Sequence, residues 1–296
     1  MKKRIVVGLV LFSLIALPTW TFSLNSSHLA HAFSVSAAEL EDTVTIYGNK
    51  FDADVEFLDL SGISMEDTAE LEAALPSFPN LKQVDMIGCG ISNEEMEALN
   101  QQYPGIKFVW ALQIQGITLR TDATSFMPIK HGYRVTNDDC QLLRYCHELE
   151  CIDLGHMPVS DCSFLYGTPH VKYLILADTR VSDATPIGFL TELEFLELFL
   201  TKVSDYTPLL NCSNLKDLNL CYSAAFDNGP LFQMTYLDRL WGVATSLSWQ
   251  EQVDLRQTLA QTTIVIQSSG STTKGWRNGP RYYQQRDIFE MPYNIN

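Results

Sequence analysis

The sequence predicts an α/β solenoid, with a curved parallel sheet on its concave side and helices and tight turns on its convex side. Three observations predict it. First, residues 149–236 repeat every 22 residues as LECIDLGHMPVSDCSFLYGTPH, VKYLILADTRVSDATPIGFLTE, LEFLELFLTKVSDYTPLLNCSN and LKDLNLCYSAAFDNGPLFQMTY, and a fifth unit opens at Leu237 with LDRLWGVATSLS. A fixed period of this length is the mark of a stacked array, in which each unit buries its apolar face only against its neighbours. Second, positions 1, 4 and 6 are apolar throughout: Leu149, Ile152, Leu154; Val171, Leu174, Leu176; Leu193, Leu196, Leu198; Leu215, Leu218, Leu220. Spacing of two between positions 4 and 6 describes a short strand with both side chains on one face. Third, each unit carries the means to turn back.

That return half begins at position 9, which is Thr179, Thr201 and Ser223. Facing inward, a hydroxyl there ties backbone groups of the turn. Position 11 (Val159, Val181, Val203, Ala225) forms a second apolar row. Then come SDATPI from Ser182 and SDYTPL from Ser204. Asp caps a tight turn, Pro fixes φ early in a short helical segment, and Ile or Leu returns to the core. The pattern L-x-x-L-x-L-x-x-[NT]-x-[VI] resembles the leucine-rich repeat. With S-D-x-x-P-[IL] recurring every 22 residues, it resembles bacterial internalin-type repeats, with Thr or Ser where that family more often has Asn. The resemblance implies an exported, non-enzymatic protein that binds another macromolecule.

Earlier units are longer. VEFLDLSGIS starts at Val55, LKQVDMIGCGIS at Leu81 and IKFVWAL at Ile106. Ser64-x-x-Asp67 and Ser92-x-x-Glu95 read as capping boxes, so helices should fill the extra length. These units resemble the ribonuclease-inhibitor type of leucine-rich repeat. TVTIYGNKF, from Thr43, is expected to cover the N-terminal end of the array. Residues 106–148 break the period: IKFVWALQI and ITLRTD flank Gln115-Gly116 as a hairpin, and Thr136-x-x-Asp139 opens a helix. We read this stretch as an insertion projecting from the solenoid. Ser248-x-x-Glu251 opens another helix, and TTIVIQ makes a last strand.

The N-terminus reads as a leader. Met1-Lys2-Lys3-Arg4, an apolar run and then small residues describe a signal peptide over residues 1–37, with cleavage after Ala37 preferred to Ala32. The apolar core is short of the roughly 20 residues that span a bilayer. The expected domains are therefore the leader, a solenoid over 38–267 and a tail over 268–296, in a protein that is secreted or extracellular, free or associated with the cell surface. The formal net charge is −15, and the leader holds three basic residues and no acidic one. An acidic exported domain repels nucleic acid and anionic membranes. Seven cysteines fall at register positions that keep most of them apart, so buried free thiols are expected; one bridge among Cys140, Cys146, Cys151 and Cys162 stays open.

No nucleophile elbow, P-loop, dinucleotide loop or HExxH stretch occurs, which argues against an enzyme and against a cofactor. Cys151, His156, Cys162 and His170 occupy positions that point in different directions, so no metal centre is expected. Asp161, Asp183, Asp205 and Asp227 share position 13, where each most simply caps its own turn.

Positions 3, 5 and 7 of the strands face the concave side. There the sequence clusters Tyr173, Ile175, Phe195, Glu197, Phe199, Asn219, Arg239 and Trp241. Exposed aromatic patches of this density mark interaction sites, and the residues are assigned to a protein partner. The alternative is that the tail or the hairpin covers the patch. The tail itself brings Lys274, Arg277, Arg281 and Arg286 together with Trp276, Tyr282, Tyr283, Phe289 and Tyr293. It reads either as a C-terminal cap or as a basic aromatic element for a glycan or the cell wall.

Overall fold

The computed structural model describes residues 43–292. The expected leader therefore lies outside the described residues. Strands β1 (Thr43–Ile46) and β2 (Asn49–Asp52) pair as a hairpin. Ile46 is buried, and Val44, Tyr47 and Phe51 pack on the core, so the hairpin closes the apolar end of the first unit. Strands β3 (Phe57–Asp59), β4 (Gln83–Asp85) and β5 (Lys107–Val109) form a three-stranded parallel sheet. Helices α1 (Ala69–Ala74) and α2 (Asn93–Gln102) connect them on the other side.

Helix α2 starts at the expected capping box: Ser92 Oγ accepts from the Glu95 amide, and Glu95 reaches back to the Ser92 amide. The box expected at Ser64 does not form. Helix α1 begins later, after Thr68, and Asp67 Oδ1 instead accepts from the Ala69 amide at 3.0 Å. A carboxylate two residues before a free amide closes an Asx turn, which competes directly with the box.

Strands β6 (Ala111–Ile114) and β7 (Ile117–Arg120) make the expected hairpin about Gln115-Gly116, both in the left-handed region (φ 49° and 87°). That is the backbone a two-residue hairpin needs. The hairpin does not project. Leu112, Ile114 and Leu119 lie in the main core, because alternate residues of an apolar hairpin cannot all face water. Arg120 fastens it to both sides, with Asp85 at 2.7 Å and Asp122 at 2.8 Å.

A seven-stranded parallel sheet follows, from β8 (Ser125–Phe126) through β9 (Cys151–Asp153), β10 (Tyr173–Ile175), β11 (Phe195–Glu197), β12 (Asp217–Asn219) and β13 (Arg239–Trp241) to β14 (Thr263–Val265). Between β8 and β9 lies α3 (Asn137–Gln141), started by the Thr136–Asp139 box. Before β14 lies α4 (Trp249–Thr258), started by Ser248 and Glu251. The register is in step with the 22-residue period: Leu174 pairs with Leu196, Leu196 with Leu218, and Leu218 with Leu240. All four are buried.

Each return is a short 3₁₀ segment rather than an α-helix, as at Ile187–Phe189 and Thr207–Asn211. Thr179, Thr201 and Ser223 donate inward to the carbonyls of Leu176, Leu198 and Leu220 at 2.7, 2.7 and 2.5 Å. The Asp row caps its own turns: Asp161, Asp183, Asp205 and Asp227 each accept at 2.8 Å from the amide two residues on. One feature of every turn has no sequence mark. His156, Asp178, Leu200, Tyr222 and Ala244, all at position 8, hold φ between 54° and 64°. Non-glycine residues accept this left-handed backbone at about 1–2 kcal/mol each, and here the ladder of neighbouring turns imposes it. All seven cysteines are unpaired and buried.

Candidate functional site

The concave face of the large sheet carries two register rows. Tyr173, Phe195, Asp217 and Arg239 follow one another along the first; Asp153, Ile175, Glu197, Asn219 and Trp241 along the second. Alternation places these side chains opposite the leucine ladder, as the sequence requires. They are not exposed. Phe195 and Asn219 have no accessible surface, and Trp241, Glu197, Tyr173 and Phe199 are buried as well. Ile175 and Arg239 are half-buried.

What covers them is the chain's own C-terminal segment. It contains α5 (Pro280–Ile288). Together with Trp276, Tyr282 and Phe289, the concave aromatics form a second apolar core, separate from the leucine ladder. The expectation of an open partner surface at these eight residues is thereby corrected. The signal that misled is real: a strand face rich in aromatics does mark a contact, but the contact is intramolecular. The glycan reading of the tail loses its platforms for the same reason, since Trp276, Tyr282 and Phe289 are buried.

Trp276 is the anchor. Its ring lies 5.1 Å from Phe195 and 5.2 Å from Trp241, between centroids, and its indole N–H donates to Glu197 Oε1 at 2.5 Å. The Arg239 guanidinium sits 4.7 Å over the same ring. Polar side chains of the sheet grip the tail backbone: Asn219 Nδ2 donates to the Ser271 carbonyl and Trp241 Nε1 to that of Thr273, each at 2.9 Å. Arg239 Nη1 donates to the Trp276 carbonyl at 2.8 Å. Tyr173 donates to Gln284 Oε1 at 3.0 Å.

Charge completes the closure. Asp217 is wholly buried and takes a two-point bond from Arg239, at 2.8 and 2.6 Å. Such planar pairs satisfy a buried carboxylate best. Arg281 of α5 then spans Asp238 at 2.9 Å, Asp217 at 3.4 Å and Glu194 at 3.5 Å. Arg281 thus meets an acidic sheet directly, and Arg277 and Arg286 lie across from Asp153 and Glu197, the complementarity that composition hinted at. At the other end, Lys130 donates to the Phe289 carbonyl at 2.7 Å. Gly279 lies so close to Arg239 that a Cβ there would stand 2.1 Å from the guanidinium. Only glycine permits that approach.

Two carboxyls under the tail are perturbed. Burial pushes Glu197 up to about 7, against the lowering effect of the Trp276 bond, with Asp153 adding to the rise. Burial also raises Asp153, while the Gly155 amide and the neighbouring His156, Arg286 and Arg277 pull it back. Sequence reasoning named Trp276 and Arg286 in the tail but did not single out Gln285 there or Asp217 on the sheet. The density of aromatic and basic residues in the tail was the available signal. Nothing local told which surface they meet.

No family model matches the chain, and no curated protein matches it. Among solved structures it is similar to an internalin (inlF) from Listeria monocytogenes, with 17% identity over 74% of this chain and 57% of that one and a TM-score of 0.44. An internalin C2 (inlC2) from the same species has 15% identity over 75% and 78% of the two chains, with a TM-score of 0.37. A leucine-rich repeat protein of Leptospira interrogans has 17% identity over 64% and 50%, with a TM-score of 0.43. The chain thus spans little more than half the length of the first and half that of the third. These neighbours are internalins and leucine-rich repeat proteins, the class that the repeat signature resembles. The solenoid itself rests on the chain's own strand register, not on these identities.

Proposed function

We propose that the chain is a non-enzymatic, exported binding protein whose partner is another protein, and that its concave face takes a turn-rich peptide segment of that partner. One observation supports this above others. The face already holds such a segment, gripping the carbonyls of Ser271, Thr273 and Trp276 through side chains and seating one large aromatic anchor. Main-chain bonds with an aromatic in a dry pocket are how proteins hold peptides. The resident occupant is the chain's own tail, so a partner gains the face by displacing it. A short tether holds the tail at an effective concentration on the order of millimolar. The partner must therefore bind the open face about as well as the tail does.

Weakening the tail without touching the sheet tests this. Trp276→Ala and the milder Arg281→Ala should each bind a synthetic peptide of residues 271–292 that the unaltered chain excludes. From an envelope extract, the variants should retain a protein that the same peptide displaces. Equal retention by the unaltered chain, undisturbed by the peptide, would move the partner to another surface.

A further inference from the structure

Between α5 and the concave face lies a cavity of about 250 Å³. Its sheet wall carries Asp153 and Glu197, in one register row and two strands apart, which is roughly 10 Å between backbones. Its tail wall carries Arg277, Gln285 and Arg286. Ile175, Phe199 and Phe289 are apolar parts of the lining.

The tail wall is unfinished. Gln285 is 1% exposed, yet among the described residues neither Nε2 nor Oε1 has a hydrogen-bond partner, and Nε of the buried Arg286 has none either. A buried amide left unpaired is destabilising, and a methionine or leucine of similar volume would fill the same space without that cost. The sheet wall has capacity to spare as well. Glu197 uses Oε1 on the Trp276 indole and Asp153 uses Oδ1 on the Gly155 amide, at 2.5 and 2.8 Å. These bonds leave the second oxygen of each.

The walls have opposite polarity, and that limits what fits. A simple anion would lie against two carboxylates, and a simple cation against two guanidiniums. A molecule with both charges, and an apolar body between the walls, satisfies each. At roughly 30 Å³ of liquid volume per water, the space holds about eight waters or one small molecule, and no polymer.

We propose that this cavity binds a small zwitterion of the free α-amino acid class. Its ammonium group faces Asp153 and Glu197, its carboxylate faces Gln285 Nε2 and Arg286 Nε, and its side chain lies against Ile175, Phe199 and Phe289. Because the ligand touches sheet and tail together, it stabilises the closed tail. The inference is independent of the protein-partner reading and stands or falls on other measurements.

The test uses the full chain, thermal unfolding and calorimetry. The probes are the L-amino acids one by one, each against its decarboxylated amine and its deaminated acid; for L-leucine these are 3-methylbutylamine and 4-methylpentanoate. At least one amino acid should raise Tm by roughly 5–10 °C at about 100-fold over its Kd, and neither of its truncated forms should do so. Gln285→Met removes an amide that no protein group needs. It should leave the ligand-free Tm unchanged or higher and weaken binding about tenfold or more, and Asp153→Asn should weaken binding similarly. No shift from any amino acid would mean a cavity holding water only, and would overturn the proposal. So would an amine or an acid that acts as strongly as its zwitterion, or undiminished binding by the folded Gln285→Met chain.

Discussion

Glu197→Gln should make this protein more stable, and only at neutral to alkaline pH. Glu197 lies beneath the tail, 5% exposed, with one oxygen on the Trp276 indole. Burial lifts its carboxyl from 4.5 to about 7. Between those values the folded chain holds the proton more tightly than the unfolded chain. Stability is therefore undiminished by this group below about pH 4.5, declines as pH rises, and carries the full penalty above about pH 7. At about 1.4 kcal/mol per pH unit, the penalty approaches roughly 3 kcal/mol. Gln keeps an oxygen for the indole N–H and never ionises, so most of that should return: about 1–3 kcal/mol at pH 8 and near zero at pH 4.5. Asp153, Arg277 and His156 face the same group and set how much. Urea unfolding followed by tryptophan fluorescence at the two pH values measures it. A variant destabilised at pH 8, or equally changed at both, would refute a closed tail over a reluctant carboxylate.

Leu196→Ala removes a fully buried rung of the ladder and should cost about 2–5 kcal/mol in denaturant unfolding, whereas Lys202→Ala on the exposed return should cost under about 0.5. Replacing Phe195 and Phe199 together by Ser would barely move Tm if the concave face were open. Beneath the tail it should destabilise the chain by more than about 3 kcal/mol and quicken proteolysis near Gly270. Gly279→Ala puts a Cβ 2.1 Å from the Arg239 guanidinium, so the tail should loosen and Trp276 fluorescence should shift toward that of exposed indole.

The repeats were legible because their causes are local. A strand of alternating side chains, a hydroxyl at position 9 and an Asp at position 13 each act within one unit or on the next, and the 22-residue spacing repeats each cause in sight. The hairpin at Gln115-Gly116 was legible for the same reason. Its burial was not, since that depends on Leu112, Ile114 and Leu119 meeting a core assembled from other units. The helix start after Ser64 failed on a local competition, an Asx turn at Asp67 against a capping box, which the pattern alone could not decide.

By itself, then, the sequence determined the array, its inside and outside, and the fact that an aromatic patch on the concave strands must meet something. Only the tertiary structure decided what it meets. Apolar burial has no direction and no address, so a face made for a partner and a face made for the chain's own tail look alike in sequence. The choice rests on contacts between distant residues, such as Trp276 on Glu197, 79 positions apart, and Arg281 on Asp217, 64 apart. Neither residue of such a pair carries a local mark of the other, and the orphaned amide of Gln285 appears only once the tail has closed over the sheet.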